Sequence, residues 1–232
     1  MKKVIYTLFI TIIMLFSHIY LVSLINVPEV KETIYLEKTK SDTKEEVKPL
    51  KLEYDKTNED IVGRLVIKSL DIDEEVFQGS DNDYYLNHDR NGNYYIWGNV
   101  VLDYRNNMSD REYYIFGHNS RTKNNEEAKF QKLENYTNKD FFENYEEIYL
   151  AYGDTTYKYK PILVKTVISD NEHTKVKYSS DEDFLNHVAK LRKDTIFDTG
   201  EEVTKDDQIL VLQTCYYKPV KSLLLVIYKR VN

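Results

Sequence analysis

The chain has 232 residues, of which 41% are hydrophobic and 31% charged, so it suits one globular, water-facing domain plus a targeting segment. Its 32 Lys and Arg against 39 Asp and Glu give a formal net charge of −7, which disfavours nucleic-acid binding. Its 7 glycines form no phosphate-binding loop motif, and its single cysteine excludes an intramolecular disulfide.

The N-terminal segment is predicted to be a transmembrane signal-anchor. Residues 4–25 read VIYTLFITIIMLFSHIYLVSLI, an uncharged stretch long enough to cross a bilayer as a helix. Lys2 and Lys3 precede it, which predicts a cytoplasmic tip at 1–3 and a single-pass protein of the cell membrane with its bulk extracellular. A cleaved signal peptide is the alternative, but the stretch is long for one and lacks an A-x-A-like site near its end.

The next segment, 26–57, is polar and dense in charge, and is predicted to be an extracellular stalk that is partly helical. From residue 58 to 232 the pattern is that of a mainly β domain. Eight runs rich in Val, Ile, Leu, Tyr and Phe have strand character. They span 61–67, 74–80, 94–102, 111–118, 146–152, 156–169, 208–217 and 222–231. Eight such runs predict a closed or nearly closed β-barrel.

Three segments within this domain predict short peripheral helices. In 126–136, Phe130, Leu133 and Tyr136 share a face. In 137–145, the candidate caps are Thr137 and Asn138. In 180–193, the predicted N-cap is Ser180, and the apolar stripe consists of Phe184, Val188 and Leu191.

The five histidines form neither an HExxH motif nor a cluster with cysteine at metal-ligand spacing. No metal site and no cofactor are therefore expected. His118 and Cys215 differ from the other candidates because each ends an apolar run, at YYIFGH and ILVLQTC. A cysteine nucleophile needs a base or an ion-pair partner, and two strand ends at one rim of a barrel would supply that pair. The alternative is that the lone cysteine is a small buried apolar residue.

Several stretches, taken in order, resemble the sortases of class B. NEDIVGRLVI (58–67) resembles the segment that opens the family barrel, VFQGSDNDYYLNHD (76–89) and GNVVLDYRNN (98–107) resemble two class B stretches, and FQKLENYTNKDFFENYEEIYL (130–150) resembles a third. IFGHN (115–119) resembles the strand end that carries the family histidine, and VLQTC (211–215) resembles the T-L-x-T-C motif that carries the nucleophile. The similarity covers about three quarters of the chain, from residue 58 onward.

This resemblance implies a sortase-type eight-stranded β-barrel and a cysteine transpeptidase exported by a Gram-positive bacterium. Its partners would be secreted proteins that bear a C-terminal sorting signal, and an amine of the peptidoglycan cross-bridge or of its lipid-linked precursor. Cys215 would be the nucleophile and His118 the acid/base. Thr214 would help to orient the substrate, and Asn87 would lie on a loop of the substrate groove.

One departure from the family pattern concerns the arginine that sortases carry on the strand after the cysteine. The corresponding window, 223–225, consists of three leucines, and the nearest base in sequence on that side is Lys221. Lys221 is therefore the candidate substitute, as a point charge without the fork of arginine. One alternative is that a shifted loop brings another base to the site. The other is a catalytically impaired sortase-like protein that binds sorting signals or wall precursors. An L,D-transpeptidase is disfavoured, since those enzymes have Ser-His-Gly before the cysteine and this chain has Leu-Gln-Thr.

Overall fold

The structure is a computed structural model that describes residues 50–168, 174–218 and 221–231. The predicted cytoplasmic tip, the predicted anchor at 4–25 and most of the predicted stalk lie outside the described residues. Among the residues it does describe, no helix is both long and apolar enough to span a membrane.

Nine strands make up the body of the domain. They are β1 (Ile61–Ile67), β2 (Ile72–Phe77), β3 (Val100–Leu102), β4 (Glu112–Phe116), β5 (Ile148–Tyr152), β6 (Thr155–Ile168), β7 (Thr195–Asp198), β8 (Ile209–Tyr216) and β9 (Ser222–Arg230). Each of the eight runs identified in the sequence overlaps one of these strands. The ninth, β7, was not predicted, because TIFD is short and lacks the flanking apolar run of the others.

The strands close into an eight-stranded barrel, as predicted. Their order around the ring is β5-β1-β2-β3-β4-β8-β9-β6, and β6 pairs with β5 to close it. Two neighbours, β2–β3 and β4–β8, are parallel, and the other pairs are antiparallel. The ninth strand pairs with β6 outside the ring, where β6 extends beyond β5.

Alternation along the strands produces two apolar layers. On β4 and β8, Tyr113, Ile115, Leu210 and Leu212 point into the barrel and belong to its inner core. The intervening residues belong to an outer layer, which is covered by the helix at 181–191; its members on the two strands include Tyr114, Ile209 and Val211. His118 and Cys215 continue the outward-facing series of these two strands.

The helices follow the sequence in part. Helix α1 (Lys139–Glu143) begins at Asn138, whose side chain accepts from the Phe141 amide. Helix α2 (Asp181–Leu191) begins at Ser180, whose side chain accepts from the Asp183 amide, as predicted.

The predicted helix at 126–136 is a 3₁₀ helix at Gln131–Thr137 instead. Its buried residues Phe130, Leu133 and Tyr136 are spaced by three, which is the period of a 3₁₀ rather than an α-helix. In addition, the Gln131 side chain donates to the carbonyls of Ser120 and Thr122, so it ties this segment to the loop after β4.

Candidate active site

The parallel pairing of β4 with β8 brings His118 and Cys215 together. Phe116 pairs with Gln213 at the end of the ladder, and the next amide, that of Gly117, still donates to the Gln213 carbonyl at 3.2 Å. When the same register is continued by two residues, His118 falls opposite Cys215. The backbones of neighbouring strands are about 4.8 Å apart. Two residues that are far apart in sequence thus meet at one rim of the barrel, on its outer face.

Two side chains tie these strand ends to each other. The buried Thr214 hydroxyl donates to the Gly117 carbonyl at 2.7 Å. The buried Asn119 amide donates to the Cys215 carbonyl and to the Glu134 carboxylate, both at 2.8 Å. Thr214, predicted to orient the substrate, therefore uses its hydroxyl to fix the backbone before His118.

The His118 ring is held by the loop that precedes β3. Its Nε2 lies 2.7 Å from the Leu86 carbonyl oxygen. A carbonyl only accepts hydrogen bonds, so Nε2 carries a proton and the lone pair of the neutral ring is on Nδ1. The indole of Trp97 meets the imidazole edge to face, with the ring centroids 6.4 Å apart. Proton transfer at this site is therefore assigned to Nδ1.

Cys215 is a free, half-buried thiol. It pairs across the sheet with Leu223, which is itself buried. Burial raises the pKa of the Cys215 thiol, and a hydrogen bond with the Tyr217 side chain partly offsets this rise. The three leucines at 223–225 lie in β9 and supply no charge to the thiol. A thiolate at Cys215 therefore depends on the few polar groups around it.

A cavity of about 570 Å³ opens next to the two residues. Its walls include Phe116 and Gln213, which precede His118 and Cys215 by two residues, and Leu86, whose carbonyl holds His118. Asp81 and Asp83 contribute carboxylates to the same cavity.

One wall of the cavity rests on an ion pair between a buried carboxylate and a more exposed guanidinium. Asp103 is fully buried and accepts from the Arg105 guanidinium at 2.8 and 2.7 Å, and from the Asn82 amide at 3.0 Å. Burial opposes ionisation of Asp103, but these bonds outweigh it and hold the carboxyl pKa below its ordinary value. Asn82 and Arg105 both line the cavity, so the pair shapes it.

The other two predicted site residues have different surroundings. The Asn87 amide donates to the Asp83 carbonyl within its own loop at 3.0 Å, and its neighbour Leu86 is the residue that faces the cavity. Lys221 is exposed in the turn before β9, with a φ of 69°. Within the part of the chain that the structure describes, no hydrogen bond or ion pair joins Lys221 to Cys215. Leu86 and Tyr217 were missed as site residues, because neither a backbone carbonyl nor one tyrosine among 21 gives a sequence signal.

Comparison with known proteins identifies the family. The model of the Sortase domain family matches residues 65–231. The chain belongs to the sortase family. Sortase B of Listeria monocytogenes is 29% identical over 162 residues, which cover 69% of this chain and 64% of that protein. Sortase B of Staphylococcus aureus is 25% identical over 188 residues, covering 78% and 75%.

Solved structures agree with this assignment. The crystal structure of Clostridium perfringens sortase B superimposes with a TM-score of 0.70 at 26% identity, covering 75% of this chain and 96% of that one. The structure of Listeria monocytogenes sortase B gives a TM-score of 0.66 at 28% identity, covering 74% of this chain and 95% of that one. The predicted membership of class B is confirmed, and the barrel of this sortase is that of its relatives.

Proposed function

We propose that this sortase is a cysteine transpeptidase in which Cys215 and His118 carry the chemistry. The proposal is supported above all by the parallel β4–β8 register, whose last pair, Phe116 and Gln213, lines a cavity and precedes His118 and Cys215 by two residues each. Membership of the sortase family supports the same reaction. The enzyme would be anchored to the cell membrane by 4–25 and act on proteins exported to the extracellular side.

The reaction has two acyl-transfer steps. The thiol proton of Cys215 passes to Nδ1 of His118, and the sulfur attacks the threonine carbonyl carbon of a C-terminal sorting motif. The scissile C–N bond then breaks, and His118 Nδ1 gives that proton to the leaving amine. The product is a thioester between the secreted protein and Cys215. A wall amine then attacks the thioester carbon and loses its proton to His118, and the sulfur leaves as a new amide forms. The cell-wall partner is the peptidoglycan cross-bridge or its lipid-linked precursor.

Intact-mass spectrometry of the full chain in detergent tests this function. Peptides that carry candidate sorting motifs would be added, with triglycine as the accepting amine. We expect a peptide-acyl adduct on the wild-type chain that is absent from Cys215→Ala, and a slowed reaction in His118→Ala. Peptide binding without any adduct would overturn the proposal and support the alternative, a sortase-like binding protein. Product formation by Cys215→Ala would overturn it as well.

A further inference from the structure

An irregular segment at 174–178, the wall segment, forms one side of the cavity next to the catalytic residues. Its first residue, Thr174, lines that cavity together with Gln213. Gln213 precedes Cys215 by two residues on β8, so the two side chains share a face of the strand and lie about 7 Å apart. The place of the wall segment therefore determines the width of the cavity close to the thiol.

Side chains, and not the backbone, hold the wall segment. Among the described residues, no backbone–backbone hydrogen bond joins 174–178 to a strand or a helix. Lys175 and Lys177 each pair with an aspartate, at 2.5 and 2.6 Å, but the lysine side chains are 38% and 51% exposed, so solvent screens both pairs. Val176 is buried in the outer layer, which attaches the segment without a directional bond.

Tyr178 makes the directional contact. Its hydroxyl donates to the carboxylate of Glu112 on β4, whose side chain is fully buried. The same hydroxyl lies 2.8 Å from the Lys175 carbonyl, and a phenol has one proton, so it donates to one acceptor at a time. The ionised carboxylate is the stronger acceptor. Burial and the Glu112 charge raise the pKa of Tyr178 well above its ordinary value, so the phenol remains a donor.

Glu112 ties this contact to the strand that leads to His118. It is the first residue of β4 and precedes His118 by six residues. In the described ranges of the chain, no lysine or arginine pairs with its carboxylate, and its ion-pair partner is the buried His187 of α2, with Nε2 at 3.3 Å. An apolar side chain of similar volume is often as stable as a buried carboxylate. What the carboxylate adds is direction, because it fixes one phenol at one place on β4.

We propose that Glu112 and Tyr178 are positioning residues for the substrate, whose hydrogen bond fixes the wall segment against β4 and so keeps the cavity at the width that a sorting-signal peptide needs beside Cys215. The proposal rests on the function proposed above, because it assigns the cavity to the peptide that Cys215 attacks. Neither side chain contacts the reacting atoms. Loss of their bond should therefore weaken peptide binding and leave the chemistry of the thiol unchanged.

Electron paramagnetic resonance of the full chain in detergent tests the anchor without any peptide. Cys215 is the single cysteine, so a Cys215→Ala background allows a nitroxide to be attached at Lys177→Cys alone, on an exposed residue of the wall segment. Adding Tyr178→Phe should raise the ratio of the mobile to the immobile spectral component about tenfold, since the lost bond is to a charged group. Tyr113→Phe is the matched control, because its hydroxyl donates to the Met108 carbonyl and its removal should leave the spectrum unchanged.

Steady-state kinetics of a peptide that acylates the wild-type chain tests the consequence for the substrate. Tyr178→Phe should raise KM about tenfold and keep kcat within about twofold of the wild type, which is the result of lost uniform binding. Alkylation of Cys215 by iodoacetamide should keep its wild-type rate. Glu112→Gln retains an acceptor for the phenol and should recover most of KM. Glu112→Leu should match Tyr178→Phe, and the double variant should be no worse than either.

Each result decides a separate part of the proposal. Equal spectra for Tyr178→Phe and its parent would overturn the anchor. A lower kcat at unchanged KM would overturn the assignment of the cavity wall to substrate binding, and additive losses in the double variant would overturn the pairing of Glu112 with Tyr178. Absence of any peptide adduct on the wild type would instead refute the proposed function, and the spectra would still decide whether the anchor exists.

Discussion

The Nε2 atom of His118 lies 2.7 Å from the backbone carbonyl oxygen of Leu86. This contact fixes both the tautomer and the orientation of the ring from a loop that is 32 residues away in sequence. It also makes the site sensitive to changes that touch neither catalytic residue, because the position of one carbonyl determines where Nδ1 points.

Gly98→Ala should disturb that carbonyl. Gly98 has a φ of 44°, and a Cβ built on it would lie 2.1 Å from the Leu86 carbonyl oxygen. We expect a loss in kcat of about a hundredfold with the barrel intact, since small misplacements of a catalytic group have effects of this size. Gly79→Ala is the control, because its Cβ would meet only ordinary contacts of 3.4 Å or more. Equal kcat values for the two variants would contradict the role of the Leu86 carbonyl.

Thr214→Val should loosen the two strand ends. The substitution keeps the shape of the side chain but removes the hydroxyl that donates to the Gly117 carbonyl at 2.7 Å. A buried carbonyl without its donor costs about 1–3 kcal/mol of unfolding free energy, and kcat should fall because His118 follows Gly117. Thermal unfolding and kcat are the measurements. Thr214→Ser keeps the hydroxyl and should recover most of the thermal stability and most of kcat. A serine variant as impaired as the valine variant would contradict the role of the hydroxyl.

Asp103→Asn should destabilise the cavity wall. It removes the charge that holds Arg105, at an expected cost of about 1–3 kcal/mol near neutral pH. The pKa of Asp103 is lowered in the folded state, so its stabilisation is present above the unfolded value of 3.8 and is lost as pH falls through the folded value. The Asp103→Asn variant should not show this loss of unfolding free energy as the pH falls. Asp71→Asn, at an exposed pair with Lys132, is the control and should change stability little.

Lys165→Met should weaken the attachment of helix α2. The Lys165 ammonium is buried and donates to the carbonyls of Leu191 and Lys193, at 3.1 and 2.8 Å, at the end of the helix. We expect a loss of about 2 kcal/mol at pH 7, measured by thermal unfolding.

The pH dependence supplies a second test of Lys165. Burial lowers the pKa of Lys165, so the unfolded chain binds the proton more tightly. The wild type should therefore gain stability, relative to the methionine variant, as pH rises from the lowered value towards 10.5. Lys160→Met, on the same strand, is the control, because its ammonium pairs with Glu201 at a more exposed position. If the wild type gained as much stability with pH relative to Lys160→Met as relative to Lys165→Met, the assignment of this pH dependence to Lys165 would be contradicted.

Lys221 remains the sequence-based candidate for the charge that the family arginine supplies. If it stabilises the oxyanion, Lys221→Met should lower kcat/KM by about tenfold, less than the loss of a rigid donor, because the lysine is exposed. The pH dependence of Cys215 alkylation should be unchanged, which separates an effect on the oxyanion from an effect on the nucleophile. Lys205→Met, remote from the site and paired with Asp206, is the control. A kcat/KM equal to the wild type would remove Lys221 from the site.

Local pattern accounts for most of the barrel. Strand residues alternate and are bounded by turn residues, so eight strands were predictable from composition and period alone. The cap at Ser180 and the stripe of α2 followed from the same local rules. The helix predicted in 126–136 is present as a 3₁₀ helix, and its buried residues recur every three positions, while its ties to Ser120 and Thr122 in the loop after β4 have no sequence signal.

The sequence by itself determined the family, the barrel, and the identity of the candidate pair, since His118 and Cys215 each end a recognisable motif at a strand terminus. Only the tertiary structure decided that they meet, because β4 and β8 are neighbours in the sheet although 92 residues separate Phe116 from Ile209 in the chain. It also decided which atoms surround them: the Leu86 carbonyl contacts the His118 ring, and the Asn119 side chain donates to the Cys215 carbonyl. Hydrogen bonds to backbone carbonyls and contacts between distant loops depend on closure of the barrel, which no local pattern encodes.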